Sequence, residues 1–275
     1  MKNKNLISII VFVLFSAGSL IWVFNNYLSY QKKEKDEQII DLYLDELTNS
    51  VNKNKNLVLT ASVLLAKDES IKNCLTTEEQ SRCFKYLTKS KNGLINTDIF
   101  DNLMIHVHDK NLKSFFRLWN PQKDNDSLKS FRYSLSIVKK HKNSLACIEV
   151  GRYSMLIRGI TPVFDSKNRY IGSIEAITDF NKIIKHFKKQ NIGLYILMDK
   201  KYKNVASKVD FSKEQILKNY ILLNKTNENI SFLYDLDFKG TSYKKIDSYY
   251  LISTPIYDIR KTIIGYYVLK VYLNI

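Results

Sequence analysis

A short motif recurs at a fixed interval in the second half of the chain and predicts its fold. TPVFD at Thr161–Asp165 is followed, after five residues, by Ile171–Gly172. TPIYD at Thr254–Asp258 is followed at the same spacing by Ile264–Gly265, so every position repeats at an offset of 93 residues. Proline suits a strand end or edge, and glycine permits close approach in the next strand. The repeat therefore predicts two copies of one hairpin, one in each of two tandem α/β modules.

The hydrophobic period differs on either side of Gly93. No glycine or proline lies between Gly18 and Gly93, and apolar residues recur at three- and four-residue steps from Ile40 to Leu65. This pattern predicts one long amphipathic helix that ends near Lys67, followed by shorter helices. Beyond Gly93 the period changes to two, which predicts strands at 102–108, 114–119, 145–150, 153–164, 170–178, 193–198, 231–236, 249–257 and 263–273, with helices at 128–141 and 181–189.

An uncharged segment near the N-terminus predicts a membrane anchor. Leu6–Phe24 contains nineteen residues, which span about 28 Å as a helix and match the hydrocarbon core of a bilayer. A signal peptide cleaved near Ser16–Gly18 is the alternative, and we disfavour it because the apolar run continues to Phe24. Both readings export the rest of the chain. We therefore expect a single-pass protein of the inner (cytoplasmic) membrane, with its main domain periplasmic or extracellular.

Composition and charge limit the classes of function. With 275 residues, of which 45% are hydrophobic and 25% charged, the chain is globular and long enough for two domains. A net charge of +16 is typical of nucleic-acid-binding proteins. An exported domain, however, does not encounter nucleic acid, so we expect no nucleic-acid partner. The sequence contains no phosphate-binding loop, no Gly-x-Ser-x-Gly and no His-Glu-x-x-His. We therefore predict that the chain is not an enzyme and carries no cofactor.

The segments between residues 105 and 175 resemble those of a known family. They are IHVHD (105–109), SFFRLWNP (114–121), Asp126–Leu128 with Arg132, EVG (149–151), RGITP (158–162) and IGSIE (171–175). In combination they resemble the double Cache family, the tandem PAS-like extracytoplasmic sensor domains of bacterial chemoreceptors and sensor kinases. The resemblance implies an α/β (α+β) fold: an N-terminal membrane helix continuing into a long helix, then two tandem PAS-like modules with antiparallel sheets.

The resemblance and the pattern together predict the domain organisation. The expected parts are a membrane anchor with a short cytoplasmic tail (1–29), a long helix (30–68), a distal Cache module (69–182) and a proximal Cache module (183–275). The apolar stripe of the long helix is narrow enough for a helix–helix seam, which predicts a homodimer. Family members usually continue into a second membrane helix and a cytoplasmic output domain, whereas this sequence ends at Ile275.

The internal repeat also provides a control for candidate site residues. Arg158 and Glu175 lie in the first copy where Leu251 and Val268 lie in the second. Strand positions that face inward carry charges only when those charges have partners, because a buried unpaired charge is expensive. We therefore expect Arg158 and Glu175 to contact each other or a bound molecule.

A pocket between the sheet and the helix predicted at 128–141 is the expected ligand site. Guanidinium groups suit a carboxylate, acidic groups suit an ammonium, and aromatic rings suit the walls of a pocket. The predicted ligand is thus a small organic anion or an amino acid. The predicted ligand-binding residues are Arg117, Trp119, Arg132, Tyr133, Glu149, Arg158 and Glu175. The alternative is a set of structural ion pairs, either Arg158–Glu149 or Arg158–Glu175, with Arg117 and Arg152 solvated.

The histidines and cysteines leave two questions open. His106 and His108 share one face of a strand, where they could begin a metal site or a pH switch, but no third ligand has a suitable local spacing. We favour a hydrogen-bonded or exposed pair and assign no metal ligand. Cys74 and Cys83 form either a disulfide across a helix break at 76–80 or two buried thiols.

The predicted function is that of a membrane-anchored extracytoplasmic sensor domain. It binds a small organic anion or amino acid in its distal module, as in chemoreceptor or sensor-kinase signalling. The first alternative is a truncated, non-sensing receptor that acts as a dimerisation or envelope scaffold protein. The second is an envelope enzyme, for which the sequence offers no catalytic group with a base in reach.

Overall fold

The computed structural model describes residues 2–77, 79–122, 125–211, 215–224, 226, 228–234, 236, 238–246 and 248–272, with the backbone alone for residues 2–13. The chain divides into two compact units, residues 1–47 and 48–275. The second unit contains both sheets and all the strands of the described part of the chain.

The first helix, α1 (Lys2–Lys67), is followed by α2 (Glu69–Thr77) and α3 (Gln80–Ile95). The predicted end near Lys67 is confirmed, and the side chain of Asp68 accepts a hydrogen bond from the amide of Ser70 at 2.7 Å to begin α2. The predicted anchor segment lies in α1, and the side chains of its first part are outside the described residues. Within the described residues, no helix has both the length and the hydropathy needed to cross a membrane.

Five strands and one covering helix form the first module, as far as the described residues go. All neighbouring strands are antiparallel, in the order β2-β1-β5-β4-β3. The strands are β1 (Met104–Asp109), β2 (Ser114–Arg117), β3 (Leu145–Gly151), β4 (Ser154–Phe164) and β5 (Tyr170–Thr178), and the helix is α4 (Tyr133–His141).

After α5 (Asn181–Lys189), a second antiparallel sheet follows in the order β7-β8-β6-β11-β10-β9. Its strands in the described residues are β6 (Ile192–Asp199), β7 (Gln215–Ile216), β8 (Tyr220–Leu222), β9 (Ser242–Ile246), β10 (Tyr249–Tyr257) and β11 (Ile263–Tyr272). The predicted fold class, helices with two antiparallel sheets in tandem, is confirmed. The boundary predicted between 182 and 183 lies inside α5, and the domain boundaries stay predictions.

The repeated motif forms the same hairpin twice, in β4–β5 and in β10–β11. Each hairpin has a register shift at the same motif position, between Val163 and Phe164 and between Ile256 and Tyr257. Each turn places one residue in the left-handed region at the offset of 93, Asn168 with φ 58° and Lys261 with φ 61°. The repeat therefore extends to backbone conformation, although the two turn residues differ.

Two segments differ from the sequence-based prediction. The helix predicted from residue 128 begins at Tyr133, because the amide of Leu128 donates to the carbonyl of Leu112 at 3.0 Å and holds that segment beside the sheet. The strand predicted at 231–236 contains instead a short 3₁₀ helix, Ser231–Leu233. The side chain of Asn229 accepts from the amide of Ser231 at 2.9 Å, a turn that competes with a strand. Strands β7, β8 and β9 were not predicted.

The first sheet is covered on both faces. On one face, α1 packs so closely on β4 that a Cβ at Gly159 would collide with the backbone of Val58. The hydroxyls of Ser62 and Thr161 also meet there, at 2.9 Å. On the other face α4 packs through Leu135 and Val138, which form a buried cluster with Leu112, Leu128 and Ile160. Buried polar side chains on this second face therefore lie between the sheet and α4.

The cysteines take one of the two arrangements left open. Cys74 in α2 and Cys83 in α3 form a disulfide, with their Cα atoms 5.7 Å apart. Cys147 is a buried free thiol on β3, and burial raises its pKa. The disulfide joins the two short helices that follow α1.

Candidate functional site

Strand register brings distant residues together on the face of the first sheet that α4 covers. His106 on β1 lies opposite Arg117 on β2 and opposite Glu175 on β5. Glu175 in turn lies opposite Ile160 on β4, two positions from Arg158. Since alternate residues on a strand share a face, these side chains form one row across the sheet.

Arg132 connects the two buried carboxylates of the site. Its Nε donates to Oε2 of Glu149 at 2.7 Å, and its Nη2 pairs with Oε1 of Glu175. Glu149 also accepts from the amide of Ser134 at 3.0 Å and from its hydroxyl at 2.5 Å. The carboxylate therefore accepts a hydrogen bond from one of the backbone amides left free at the start of α4. Its negative charge also interacts favourably with the helix dipole.

Arg158 is the second guanidinium on Glu175. Its Nη1 lies 3.2 Å from Oε1 of Glu175, and its Nε donates to the backbone carbonyl of Glu149 at 3.2 Å. Burial alone would raise the pKa of Glu175, but Arg132 and Arg158 outweigh it and hold that pKa well below its ordinary value. Burial and the nearby charge of Arg132 lower the pKa of Arg158. Glu175 is therefore ionised at neutral pH.

A separate ion-pair group lies at the edge of the site. Asp126 pairs through one oxygen with Nη1 of Arg117 at 2.7 Å and through the other with Nε of Arg152 at 3.0 Å. Burial opposes ionisation of Asp126, but Arg117 and Arg152 more than compensate and lower its pKa. Asp126 thus holds two arginines beside each other.

A small cavity lies among these groups. Its volume is about 20 Å³, which is room for about one water molecule. The side chains around it include Arg117, Trp119, Phe131, Arg132, Tyr153 and Arg158. The indole Nε1 of Trp119 is buried and has no hydrogen-bond partner among the described residues. A buried donor of this kind favours an acceptor atom inside the cavity.

The charges around the cavity do not balance among the described residues. Four guanidinium groups face three carboxylates: Arg117, Arg132, Arg152 and Arg158 pair with Asp126, Glu149 and Glu175. Burial lowers the pKa of both His106 and His108, and the nearby carboxylate of Glu175 offsets this only in part, so neither histidine adds positive charge at neutral pH. Among the described residues, the guanidinium groups around the cavity thus outnumber the carboxylates by one.

The two histidines are buried and face each other. Nδ1 of His106 lies 3.0 Å from Nε2 of His108. Their outer ring nitrogens contact hydroxyls, Nε2 of His106 with Ser114 at 2.8 Å and Nδ1 of His108 with Ser173 at 3.0 Å. The sequence left open whether the two histidines are hydrogen-bonded or exposed. They are hydrogen-bonded and buried.

The predicted site residues fall into three groups. Arg117, Trp119, Arg132 and Arg158 line the cavity, and Glu149 and Glu175 lie behind it as partners of the arginines. Tyr133 does not join them: it is 39% exposed, and its ring lies 3.7 Å from the guanidinium of Arg260. Adjacent helical residues point about 100° apart, so Tyr133 turns outward when Ser134 faces Glu149.

Other residues of the site were not predicted from the sequence. The alternative of structural ion pairs placed Arg152 in solvent, but it lines the cavity and pairs with Asp126. Ser134 was overlooked although it is buried against Glu149. The sequence signal for Arg152 is that five of the seven arginines, Arg152 among them, lie between residues 117 and 169. Its partner lies in a loop whose path the sequence does not reveal.

Comparison with known proteins identifies the family. Residues 41–269 match dCache_3, the double sensory domain of two-component sensor kinase. Since the match covers well over half of the chain, the protein belongs to this double Cache family of extracytoplasmic sensor domains. The family senses and binds ligands and is not a catalytic one. No curated protein sequence matches the chain.

Several solved structures are similar at low identity. The sensor domain of the Vibrio cholerae histidine kinase DctB is 12% identical with a TM-score of 0.48, over 86% of this chain and 98% of that one. The periplasmic domain of Vibrio cholerae LuxQ is 12% identical with a TM-score of 0.46, over 83% and 96%. The ligand-binding domain of the Pseudomonas fluorescens chemoreceptor CtaA, solved with L-serine, is 13% identical with a TM-score of 0.43, over 86% and 98%.

Proposed function

We propose that this sensory domain binds a small organic anion, a carboxylate, in the cavity between the first sheet and α4. The observation that supports the proposal is the set of donors around the cavity: the guanidinium groups of Arg132 and Arg158 line it, and the buried indole Nε1 of Trp119 has no hydrogen-bond partner among the described residues. A buried donor without an acceptor is costly, so a small anion that accepts from these groups complements the site. The same positions in the second module, Leu251 and Val268, are buried and apolar.

The groups available to an anion are donors that fit a carboxylate. Arg117 and Arg158 line the cavity, and planar guanidinium groups bind carboxylates through two parallel hydrogen bonds. Trp119 adds an indole N–H that no described residue uses. A carboxylate would therefore meet donors from β2, from β4 and from Trp119, two residues beyond the end of β2.

The arrangement favours an acid over an amino acid. An ammonium group needs an acceptor, and the natural candidates are Glu149 and Glu175. Neither carboxylate lines the cavity. Glu149 already accepts from Arg132 and Ser134. Oε1 of Glu175 accepts from Arg132 and Arg158, and its Oε2 lies beside His106 and His108. An ammonium group in the cavity would therefore reach a carboxylate only if these side chains moved, whereas a plain carboxylate needs no such acceptor.

Binding also requires the cover of the cavity to move, because the cavity has room for only about one water molecule. Phe131 and Arg132 immediately precede α4 and line the cavity. An anion that pairs with the arginines would shift the equilibrium toward an arrangement in which this segment moves outward. The signal would then pass from the pocket to α4 through Arg132.

The wider organisation belongs to the same proposal. The distal module (69–182) carries the site, the proximal module (183–275) passes the change on, and the long helix (30–68) mediates a homodimer. Attachment to the inner membrane through residues 1–29 is supported by the uncharged run Leu6–Phe24 alone. The scaffold reading predicts the same organisation without a ligand.

A thermal-shift panel on the full chain tests the proposal. The probes are acetate, lactate, pyruvate and succinate as acids, serine and alanine as amino acids, and methylamine as a cation. An acid present at 100 times its Kd adds about 2.7 kcal/mol, which raises the Tm by about 5–10 °C in a protein of this size. We expect acids to give the shift and methylamine to give none.

Matched variants show whether a shift comes from the cavity. Arg158→Lys keeps the charge but loses the fork, and Trp119→Phe loses only the free N–H and some ring area. Arg169→Lys is the control, because Arg169 forms an exposed pair with Asp165 and its side chain is 71% exposed. Shifts reduced in the first two variants and kept in the third support the site. No change in Tm with any probe would overturn the proposal in favour of the scaffold function. Shifts with amino acids that remain in Arg158→Lys would overturn it in favour of a site elsewhere.

A further inference from the structure

We propose that His106, His108 and Glu175 form a binding site for a first-row transition-metal ion, with Zn²⁺ as its representative. All three side chains are buried, and together they form the only such cluster of potential metal ligands in the part of the chain that the structure describes. The site shares Glu175 with the anion site, but it uses the other carboxylate oxygen and does not depend on an anion being bound.

The distances among the three donor atoms fit a single small ion. Nδ1 of His106 lies 3.0 Å from Nε2 of His108, and Oε2 of Glu175 lies 3.6 Å and 3.5 Å from these two nitrogens. Zinc binds nitrogen and oxygen ligands at about 2.0–2.1 Å, and a tetrahedron of that size separates its corners by about 3.3 Å. The observed triangle is close to one face of such a tetrahedron.

The outer contacts of the histidines are those that metal sites use. In each ring the nitrogen that faces away from the centre contacts a serine hydroxyl, Ser114 for His106 and Ser173 for His108. When each ring donates its outer N–H to the serine hydroxyl, its inner nitrogen is left as a lone-pair donor for a metal ion. Both inner nitrogens lie within 3.6 Å of Oε2 of Glu175.

Glu175 supplies a second observation that favours cation binding. Its Oε1 is engaged by Arg132 and Arg158, whereas its Oε2 is fully buried and has no hydrogen-bond partner among the described residues. An unsatisfied buried carboxylate oxygen is costly, and a coordinated cation satisfies it. The two arginines also hold the carboxylate in place, so its free oxygen is already oriented.

The identity of the donors selects the class of metal. Imidazole nitrogens favour zinc, copper, nickel or iron, whereas calcium and magnesium prefer an all-oxygen set. Two histidines and one glutamate form a known zinc ligand set that keeps a further position open. Because Arg132 and Arg158 are close to Glu175, a dication meets some repulsion, which an anion at the open position would relieve.

The test uses the full chain, stripped with EDTA and then titrated with Zn²⁺ against a competing chelator and with Co²⁺ as a spectroscopic probe. We expect one equivalent of metal and a Co²⁺ absorption spectrum of a four-coordinate site. His106→Gln with His108→Gln should weaken binding by at least about 100-fold, since both ring ligands are lost. His141→Gln is the matched control, because His141 is exposed on α4 and should bind as the unaltered chain does.

A second variant covers the case in which the double substitution fails to fold. Ser173→Ala keeps all three ligands and removes the hydroxyl on His108, so we expect an affinity 10–100-fold lower in a folded protein. Binding that is equal in the double variant and the unaltered chain would overturn the proposal and leave a hydrogen-bonded histidine pair. Repeating the carboxylate panel in EDTA separates the two sites, because the anion response should persist without metal.

Discussion

Arg132, the residue before α4, forms a buried ion pair with Glu175 in the middle strand of the first sheet. The same guanidinium reaches Glu149 on the edge strand β3, so it joins the cover of the cavity to two strands at once. Any movement of the segment before α4 must alter one of these pairs. This makes Arg132 the direct physical connection between the cavity and α4.

Removing Arg132 should therefore be strongly destabilising. Arg132→Ala leaves Glu149 and Glu175 buried with fewer partners, and breaking a buried ion pair in this way costs about 3–5 kcal/mol in the free energy of unfolding. Arg169→Ala removes an exposed pair and should cost less than about 1 kcal/mol. Urea denaturation of the full chain measures both. Equal losses in the two variants would show that the buried network contributes no more than a surface pair.

Asp126 should make stability depend on acid pH. Its pKa is lower in the folded protein than its ordinary value because Arg117 and Arg152 outweigh the effect of burial. A carboxyl group of this kind stabilises the fold above its unfolded pKa of about 3.9, and the contribution is lost as the pH falls through the folded value. Between pH 5 and pH 3, we expect the free energy of unfolding to fall more steeply in the unaltered protein than in Asp126→Asn. Parallel curves would contradict this assignment.

The contact between α1 and β4 should not tolerate one additional methyl group. In Gly159→Ala the new Cβ collides with the backbone of Val58 and Leu59, so overpacking should cost at least about 1–3 kcal/mol. Gly93→Ala is the matched change, because a Cβ at that position in α3 meets no atom within 4 Å. It should stabilise the helix by about 0.5–1 kcal/mol. Thermal unfolding of both variants checks the sign of each effect.

The disulfide predicts a simple pattern of thiol labelling. Cys74 and Cys83 are bonded and Cys147 is buried, so an alkylating reagent should label no thiol in the native chain. Unfolding without reductant should expose one thiol, and unfolding with reductant should expose three. Loss of the bond in Cys74→Ser with Cys83→Ser should cost about 3 kcal/mol on the chain-entropy estimate for a loop of this length. Three labels without reductant would show that the bond does not form.

The fold was predicted where local pattern and internal repetition agree. The hairpins of the repeated motif and helix α5 have the predicted positions, because their strands alternate regularly and turn residues bound them. The start of α4 was not predicted, since the contact between Leu128 and Leu112 competes with the helical period. The strands β7 and β8 are two and three residues long, too short to show a period.

The candidate site was predicted less completely than the fold. Comparison of the two repeats identified Arg158 and Glu175, because a charge replaced an apolar residue at an inward position. The third partner of His106 and His108 was missed because Glu175 lies almost seventy residues away in sequence and comes close only through the pairing of β1 with β5. Strand register is set by packing of the whole module, and local spacing does not contain it.

The most direct test of anion binding uses the fluorescence of Trp119. The chain has two tryptophans, so Trp22→Phe leaves Trp119, which lines the cavity, as the only indole. When the full chain with this substitution is titrated with the carboxylates of the panel, at least one should give a saturable change in emission. The change should be lost when Arg158→Lys is added. Emission that stays constant with every acid, although urea unfolding alters it, would contradict a ligand site in this cavity.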